Sequence, residues 1–375
     1  MGTNARVCHV CSAHSADDGR IFERDCVSLA EAGYEVHLIA RSQKSESYSM
    51  RGVTVHPVPV YGGRSERIRK RKKVAEIAES LDPSLYHVHE PELLGSTLAV
   101  SHGRPLIWDV HEPFLAYISV KQWIPRPARP LISLWWDRYE RSLVKKCAAI
   151  VTAAESLTPR YRSIHSNVTT IHNYPRIAAT AEGLKPESPH ALVFTGTISP
   201  NRGIAQVIRA MGVLKKRGVS VILHLAGAAH TSTYIDELMS LAVASGVRDR
   251  IEYYGSISRS EAVALQKRCA VGLNISNSSM YPVQGYSVKM FEFMLAGLPV
   301  IYSNIPSFVE IAGQNDAGVV VNPDDVTEIA DAIERLIIDP IFARRLGENG
   351  RRAILEKYNW EAEERKLKEI YRSLL

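Results

Sequence analysis

The sequence predicts two doubly wound α/β domains in series, and three observations carry that prediction. Short β-branched runs alternate with amphipathic helical stretches almost from end to end, the pattern of parallel sheets covered by helices on both faces. The rhythm breaks at residues 173–190 (NYPRIAATAEGLKPESPH), rich in Pro, Ala, Ser and Glu and poor in large apolar residues, and then restarts. A length of 375 residues is too long for one ordinary core and comfortable for two. Two such sheets are expected to leave a cleft between the carboxyl ends of their strands, where open sheets bind ligands.

The elements follow in order. A strand at Val7–Cys11 leads to a helix whose Phe22, Cys26, Leu29, Ala30 and Gly33 share one face. Strands are then expected at Tyr34–Ala40, Leu85–His89, Leu106–His111 and Ala148–Ala153. The second series runs Ala191–Thr195, Val221–Ala226, Ile251–Tyr254, Val271–Ile275, Pro299–Tyr302 and Gly318–Val321. Asp324 and Asp325 precede a clean stripe of Val326, Ile329, Ala330, Ile333, Leu336 and Ile337, a capped amphipathic helix. The expected organisation is a first domain over 1–175, a linker over 176–190, a second domain over 191–357 and a returning helix over 358–375.

Composition narrows the function classes. Hydrophobic residues at 45% and charged residues at 23% indicate a globular chain and exclude disorder. Met1 to Arg6 is polar, so no secretory leader is expected, and no run approaches the ~18 apolar residues of a spanning helix. A cytoplasmic protein, with contact to the inner face of the cell membrane, is the expectation. Cys8 and Cys11 look like half a zinc site, but no second pair follows, and strand positions three apart face opposite sides. The five cysteines therefore read as buried, reduced thiols. The formal charge is +6, and Arg64–Lys73 (RSERIRKRKK) holds seven basic residues and one acid. That run serves either a solvated helix face or contact with anionic headgroups or a phosphorylated acceptor. No nucleic-acid-binding motif accompanies it.

The segment 284–300, QGYSVKMFEFMLAGLPV, says most about chemistry. Gly285 and Ser287 allow close backbone approach to a ligand. A helix starting there would aim free N–H groups and a positive dipole end at an anion. Lys289 in its first turn opposes that dipole unless an anion is present. Glu292 sits among Phe291, Phe293, Met294 and Leu295, a placement suited to a ribose diol.

These residues resemble the family 4 glycosyltransferases of the GT-B type, in which an acid, a Gly/aromatic/Gly loop and a second acid eight positions on form the signature. Here the register reads Gln284, Gly285, Tyr286, Ser287 and Val288, then Glu292, and the resemblance covers nearly the whole chain. Gln284 stands where the family often has Glu, which reads as substrate tuning or as lost catalysis, and Ser287 replaces the second Gly. The stretch 194–203, FTGTISPNRG, resembles the family's loop after the first donor-domain strand. There Gly196 makes the turn and Arg202 faces the leaving diphosphate, while Thr197 occupies the place of a first cation that Lys289 makes up. Gly227 and Tyr254 lie on turns resembling those around the base and ribose.

In the first half, the resemblance points to three loops. Gly19 and Arg20, after Asp18, match a loop facing the donor phosphates. The stretches 86–92 (YHVHEPE) and 108–113 (WDVHEP) both end strands in His-Glu-Pro and look like acceptor-side motifs. His111 is the expected contact to the transferred sugar, with His89 second, and Glu90 and Glu112 beside them. Strand-end residues on separate loops lack metal-ligand spacing, so no metal is expected.

The implied reaction is retaining, metal-independent transfer from a nucleotide-diphosphate-sugar to a glycan, lipid-linked or small-molecule acceptor, in surface polysaccharide or glycoconjugate assembly. No cofactor beyond that donor is implied, and the last helix resembles the family's crossover segment. A non-catalytic nucleotide-sugar-binding scaffold and a sugar-nucleotide epimerase remain as alternatives. Trp123, Trp135 and Trp136 cluster on an aromatic helix that could dock a membrane; Leu131, Trp135 and Tyr139 repeat at helical spacing there, a core pattern.

Overall fold

The computed structural model describes residues 5–115, 118, 124–177, 186–277 and 286–375. The chain forms two compact units, Met1–Asn173 with Trp360–Leu375, and Tyr174–Asn359. Part of the expected linker, 178–185, lies outside the described residues.

The first unit is built on an eight-stranded sheet ordered β3-β4-β2-β1-β5-β6-β7-β8. Its strands are β1 (Arg6–Ser15), β2 (Glu35–Arg41), β3 (Tyr48–Met50), β4 (Val53–Val58), β5 (Leu85–Val88), β6 (Leu106–Val110), β7 (Ala149–Thr152) and β8 (Val168–Thr170). All pair in parallel except β3 on β4. The helices are α1 (Val27–Glu31), continuing a π turn at Ile21–Cys26, then α2 (Arg64–Ser80), α3 (Pro91–Val100), α4 (Arg129–Val144) and α5 (Thr158–Arg162). The alternation along β1 divides the core. Val7 and Cys11 join the cluster on one face, and Cys8 and Val10 the cluster on the other. All five cysteines are free and buried, as their apolar setting dictates.

The second unit carries β9 (Ala191–Thr195), β10 (Ile222–Ala226), β11 (Ile251–Tyr253), β12 (Val271–Asn274), β13 (Val300–Ser303) and β14 (Gly318–Val321). Its helices are α6 (Ile204–Lys216), α7 (Ser232–Ala244), α8 (Arg259–Arg268), α9 (Val288–Ala296), α10 (Pro306–Asn315), α11 (Val326–Ile338) and α12 (Pro340–Glu356). The strand order β11-β10-β9-β12-β13-β14 is the 3-2-1-4-5-6 winding of dinucleotide-binding sheets. Local chemistry starts two of these helices, the first of them where the sequence placed it. Asp325 accepts hydrogen bonds from the Thr327 and Glu328 backbone, and Ser258 with Glu261 forms a capping box.

The last helix, α13 (Trp360–Leu374), returns to the first unit. Trp360, Leu367, Ile370 and Tyr371 join the cluster around Val7 and Cys11, each large apolar side chain contributing roughly 1.5–3 kcal/mol of burial. Trp360 Nε1 donates to Ser28 Oγ at 2.8 Å, and the His172 N–H to Glu363 Oε2 at 2.9 Å. Among the described residues, no helix is long and apolar enough to cross a membrane.

Three strands, β3, β4 and β8, are absent from the sequence-based expectation. β3 and β8 have three residues each, and β4 contains Pro57, which weakens its signal. The core pattern of Leu131, Trp135 and Tyr139 is also corrected: these side chains are 72%, 62% and 38% exposed. Helical spacing sets which residues share a face and says nothing of what covers it. Trp123 lies outside the described residues.

Candidate functional site

In each sheet the winding reverses direction once, between β1 and β5 in the first unit and between β9 and β12 in the second. Loops leaving the carboxyl ends of those strands diverge, which opens a ligand crevice. Most of the residues singled out from the sequence lie on those loops.

In the second unit, Gly196 ends β9 with φ +113° and Gly227 ends β10 with φ +143°. A Cβ on Gly227 would stand 2.0 Å from the Gly196 carbonyl oxygen, so the two turns pack backbone to backbone. A Cβ on Gly196 would lie 3.3 Å from Lys289 Nζ. The same ammonium sits 3.8 Å over the Phe194 ring. Lys289 therefore reaches from the first turn of α9 to the mouth of β9. Burial first, and then the charge of Arg202, lower its proton affinity well below that of a free lysine, against an opposing pull from Glu292. Among the described residues Lys289 has no carboxylate ion pair. A buried ammonium with lowered affinity for its proton, in the first turn of a helix and near a guanidinium charge, is an arrangement suited to an anion.

The neighbours are less uniform. Ser287 Oγ donates to Asn274 Oδ1 at 3.0 Å and fixes the start of α9, whose first residue is Val288. Thr197 is exposed in the loop after β9. Tyr286 meets Phe291 edge-on at 6.0 Å. Glu292 is 3.5 Å from Arg259 Nη2. Tyr254 donates to Glu252 Oε2 at 2.6 Å. Gln284 and Gly285 lie outside the described residues.

The first unit holds a buried chain of polar groups at the ends of β1, β5 and β6. Asp109 is 1% exposed and accepts from Arg20 Nε at 3.1 Å and Arg20 Nη2 at 2.9 Å. Arg20, 4% exposed, also donates to the Ile171 carbonyl at 2.9 Å, so it turns into the core and away from the loop's outer surface. Burial alone would raise the Asp109 pKa; the charge of Arg20 first, with bonds from His111 and His89, overrides it and holds the group ionised.

That ionised carboxylate sets the tautomers. Asp109 Oδ2 faces His111 Nε2 at 3.1 Å and His89 Nδ1 at 3.5 Å; these two nitrogens lie 3.2 Å apart, and with the carboxylate ionised we assign a proton to each, both turned to Asp109 and not to one another. His89 Nε2 then accepts from His9 Nδ1 at 3.0 Å. His9 Nε2 accepts the Tyr371 hydroxyl proton at 3.1 Å, and the Tyr371 oxygen accepts from His87 Nδ1 at 2.9 Å. The chain ends on His87 Nε2, which is left as a bare lone pair and is buried with no partner. Burial lowers the proton affinity of His9 and His87 and brings His89 to about 4, so all three are neutral. On His111 the consequence is chemical: with Nε2–H committed to Asp109, Nδ1 is the acceptor of a half-buried ring.

Around this chain the other expected residues divide. Glu90 is buried, accepts from the Ser12 and Ala13 N–H groups at 2.8 and 3.1 Å, and thereby pins the loop after β1. Burial pushes its carboxyl up to about 7, against the charge of His14 and those two bonds. The Gly19 carbonyl accepts from Arg24 Nη1 at 2.5 Å, and Glu112 is exposed. His89 is only 3% exposed and acts through Asp109 and His9. Donor atoms of His89, Asp109 and His111 lie within 4.8 Å of one another, as do those of His9, His87 and His89. Arg20 already engages both Asp109 oxygens, and a cation there would stand against a guanidinium, so the set works as a hydrogen-bonded unit.

Sequence reading missed Asp109, His9, His87 and Tyr371. Asp109 was accessible to it, since it stands two residues before His111, the spacing of one strand face. Tyr371 carried no such signal.

Two family profiles divide the chain: glycosyl transferases group 1 matches residues 176–353, and Glycosyltransferase Family 4 matches residues 26–174. A GDP-mannose:cellobiosyl-diphosphopolyprenol alpha-mannosyltransferase of Xanthomonas oryzae pv. oryzae is 23% identical over 312 residues, 79% of this chain and 75% of that protein. An MMP alpha-(1->4)-mannosyltransferase of Mycolicibacterium hassiacum is 24% identical, over 73% of this chain and 67% of that protein. Among solved structures, a sucrose-phosphate synthase from Thermosynechococcus elongatus superposes with a TM-score of 0.80 at 17% identity, covering 99% of both chains. That likeness establishes the fold.

Proposed function

The chain belongs to the group 1 and family 4 glycosyltransferases, nucleotide-sugar-dependent enzymes, and we propose specific residues for its two substrates. The second unit takes the nucleotide diphosphate: Arg202, Lys289 and the N–H groups opening α9 stabilise the negative charge that develops as the diphosphate leaves. The observation that carries this is Lys289, held beside Gly196 over the Phe194 ring with its proton affinity lowered by burial and by Arg202. Glu292 takes the ribose diol, and Gly227 and Tyr254 border the nucleoside. Gln284 and Gly285, which precede α9 in the sequence, contact the transferred sugar.

The first unit presents His111 Nδ1 as an acceptor for a sugar hydroxyl. Arg20, Asp109 and His89 are positioning residues that fix its tautomer, and Glu90 holds the adjoining loop. Retention of anomeric configuration is the family's expectation, with the leaving phosphate accepting the acceptor's proton, so no side-chain nucleophile is needed. The acceptor is a glycan or a lipid-linked sugar. The name of the Xanthomonas relative, a transferase to a diphosphopolyprenol-linked glycan, supports the second, and the basic run Arg64–Lys73 supports contact with an anionic membrane surface.

Thermal stabilisation by UDP, GDP, ADP and dTDP, and their sugar conjugates, tests the donor site. Occupancy at a hundredfold excess over Kd raises stability by about 2.7 kcal/mol. A shift confined to one nucleotide class and lost in Arg202→Ala supports the reading. No shift with any diphosphate overturns it.

A further inference from the structure

Helix α4 turns an apolar face outward. Leu131 is 72% exposed, Trp135 62%, Leu134 51%, and Ile132 and Tyr139 38%. At 3.6 residues per turn, Leu131, Leu134, Trp135 and Tyr139 fall on one arc with Ile132 at its edge and Arg138 within it, so the apolar side chains cluster where soluble surfaces normally carry isolated ones. The Trp135 and Tyr139 rings stack with centroids 5.5 Å apart, and Phe114 backs Trp136 at 4.6 Å.

The charges on this helix are sorted by face. Its two acids point inward to α5. Asp137 Oδ1 pairs with Arg160 Nη1 at 2.8 Å, and Glu140, 2% exposed, accepts from Tyr161 at 3.1 Å and from Arg160. Arg138 is exposed, as are Lys145 and Lys146 just past the helix end. The basic run on α2 adds to them, with Arg69, Lys70, Lys72 and Lys73 exposed around Ile68, itself 42% exposed. The two helices lie on one side of the sheet. Arg67 Nε of α2 pairs with Glu92 Oε1 of α3 at 3.0 Å, and a Cβ on Gly95 of α3 would stand 2.6 Å from the Tyr139 hydroxyl.

We propose that α4, with α2, is an interfacial docking surface for an anionic lipid bilayer. The 16-residue helix, about 24 Å long, is too short to span and lies in the headgroup plane. Leu131, Leu134 and Trp135 enter the acyl boundary, while the cations of α4 and α2 meet lipid phosphates. A second copy of the chain would bring like charge towards like charge, whereas anionic headgroups neutralise it. The surface stands on this geometry and deepens the proposed function, resting on that reading only for the lipid-linked acceptor.

Co-sedimentation of the full chain with phosphatidylcholine vesicles, with and without phosphatidylglycerol, tests it. Binding is expected to rise about tenfold with phosphatidylglycerol and to fall with added salt. Leu131→Ser/Trp135→Ser and Lys70→Glu/Lys72→Glu should each weaken it about tenfold at unchanged melting temperature. Wild-type protein that ignores both vesicle types overturns the proposal, as does a double variant that binds like wild type. A wild-type dimer in sedimentation velocity that Leu131→Ser/Trp135→Ser dissolves overturns it too, by making a second copy the occupant. Nucleotide stabilisation measured without vesicles separates the readings: lost vesicle binding with an intact nucleotide shift removes this surface alone, and the reverse removes the donor site alone.

Discussion

Replacing Asp109 by Asn would test the buried pair at the centre of the first unit. The amide keeps one acceptor oxygen but brings an NH2 group into the place of the other, facing a donor. If the oxygen stays towards Arg20 Nε and His111 Nε2, the amide meets Arg20 Nη2, which now donates to Asp109 Oδ1 at 2.9 Å. The guanidinium keeps its charge while 4% exposed. Breaking one side of a buried pair costs about 3–5 kcal/mol, because the remaining charge stays desolvated. Arg20→Met/Asp109→Leu removes both charges and should cost less than Asp109→Asn alone. Urea unfolding followed by tryptophan fluorescence suits the question, since all five tryptophans belong to residues 1–173 and 360–375. The signal therefore reports the first unit. A loss under about 1 kcal/mol for Asp109→Asn, or a double variant less stable than the single one, would refute the argument.

Three further outcomes follow from the charges. Lys289→Met should weaken diphosphate binding by about 1.5–3 kcal/mol in calorimetry. Because the lysine's folded proton affinity is lowered, wild-type binding should take up a proton and fade as pH rises, a dependence the variant lacks. Asp25 is buried with neither carboxylate oxygen paired, and burial pushes it from 3.8 to about 8. A raised folded pKa gives stability that is full below about pH 4 and is lost as pH rises towards 8, so Asp25→Asn should flatten urea midpoints across that window and gain a few kcal/mol at its upper end. An unchanged slope would contradict this. Tyr371→Phe removes the hydroxyl between His9 and His87 and should cost about 1–3 kcal/mol by urea unfolding; a neutral result would show that those imidazoles find other partners.

What could be read from the sequence depended on whether a signal was local. Ala191–Thr195 and Gly318–Val321 coincide with their strands, because a short apolar run between turn residues leaves little else to form. Asp325 as a cap and the cysteines as buried thiols were equally local. Arg20 was not: its loop position suggested an outward cation, and only the arrival of Asp109, 89 residues later, draws it inward. Tyr371 meets its imidazoles across 284 and 362 residues of chain, a pairing no periodicity encodes. The α4 patch shows the same limit from the other side, since a stripe at helical spacing is identical whether protein or lipid covers it.

The return of α13 also sets an order of events during synthesis. Everything in the second unit, Tyr174–Asn359, leaves the ribosome before Trp360 does. At about 5–20 residues per second, that interval lasts roughly ten to forty seconds. Throughout it the nascent first sheet lacks the helix that covers Val7, Leu29 and Val36, and the His9 and His87 side chains lack their hydroxyl. The later unit can thus finish its core while the earlier one waits with an uncovered apolar face, a substrate for chaperones until the final turns of helix emerge.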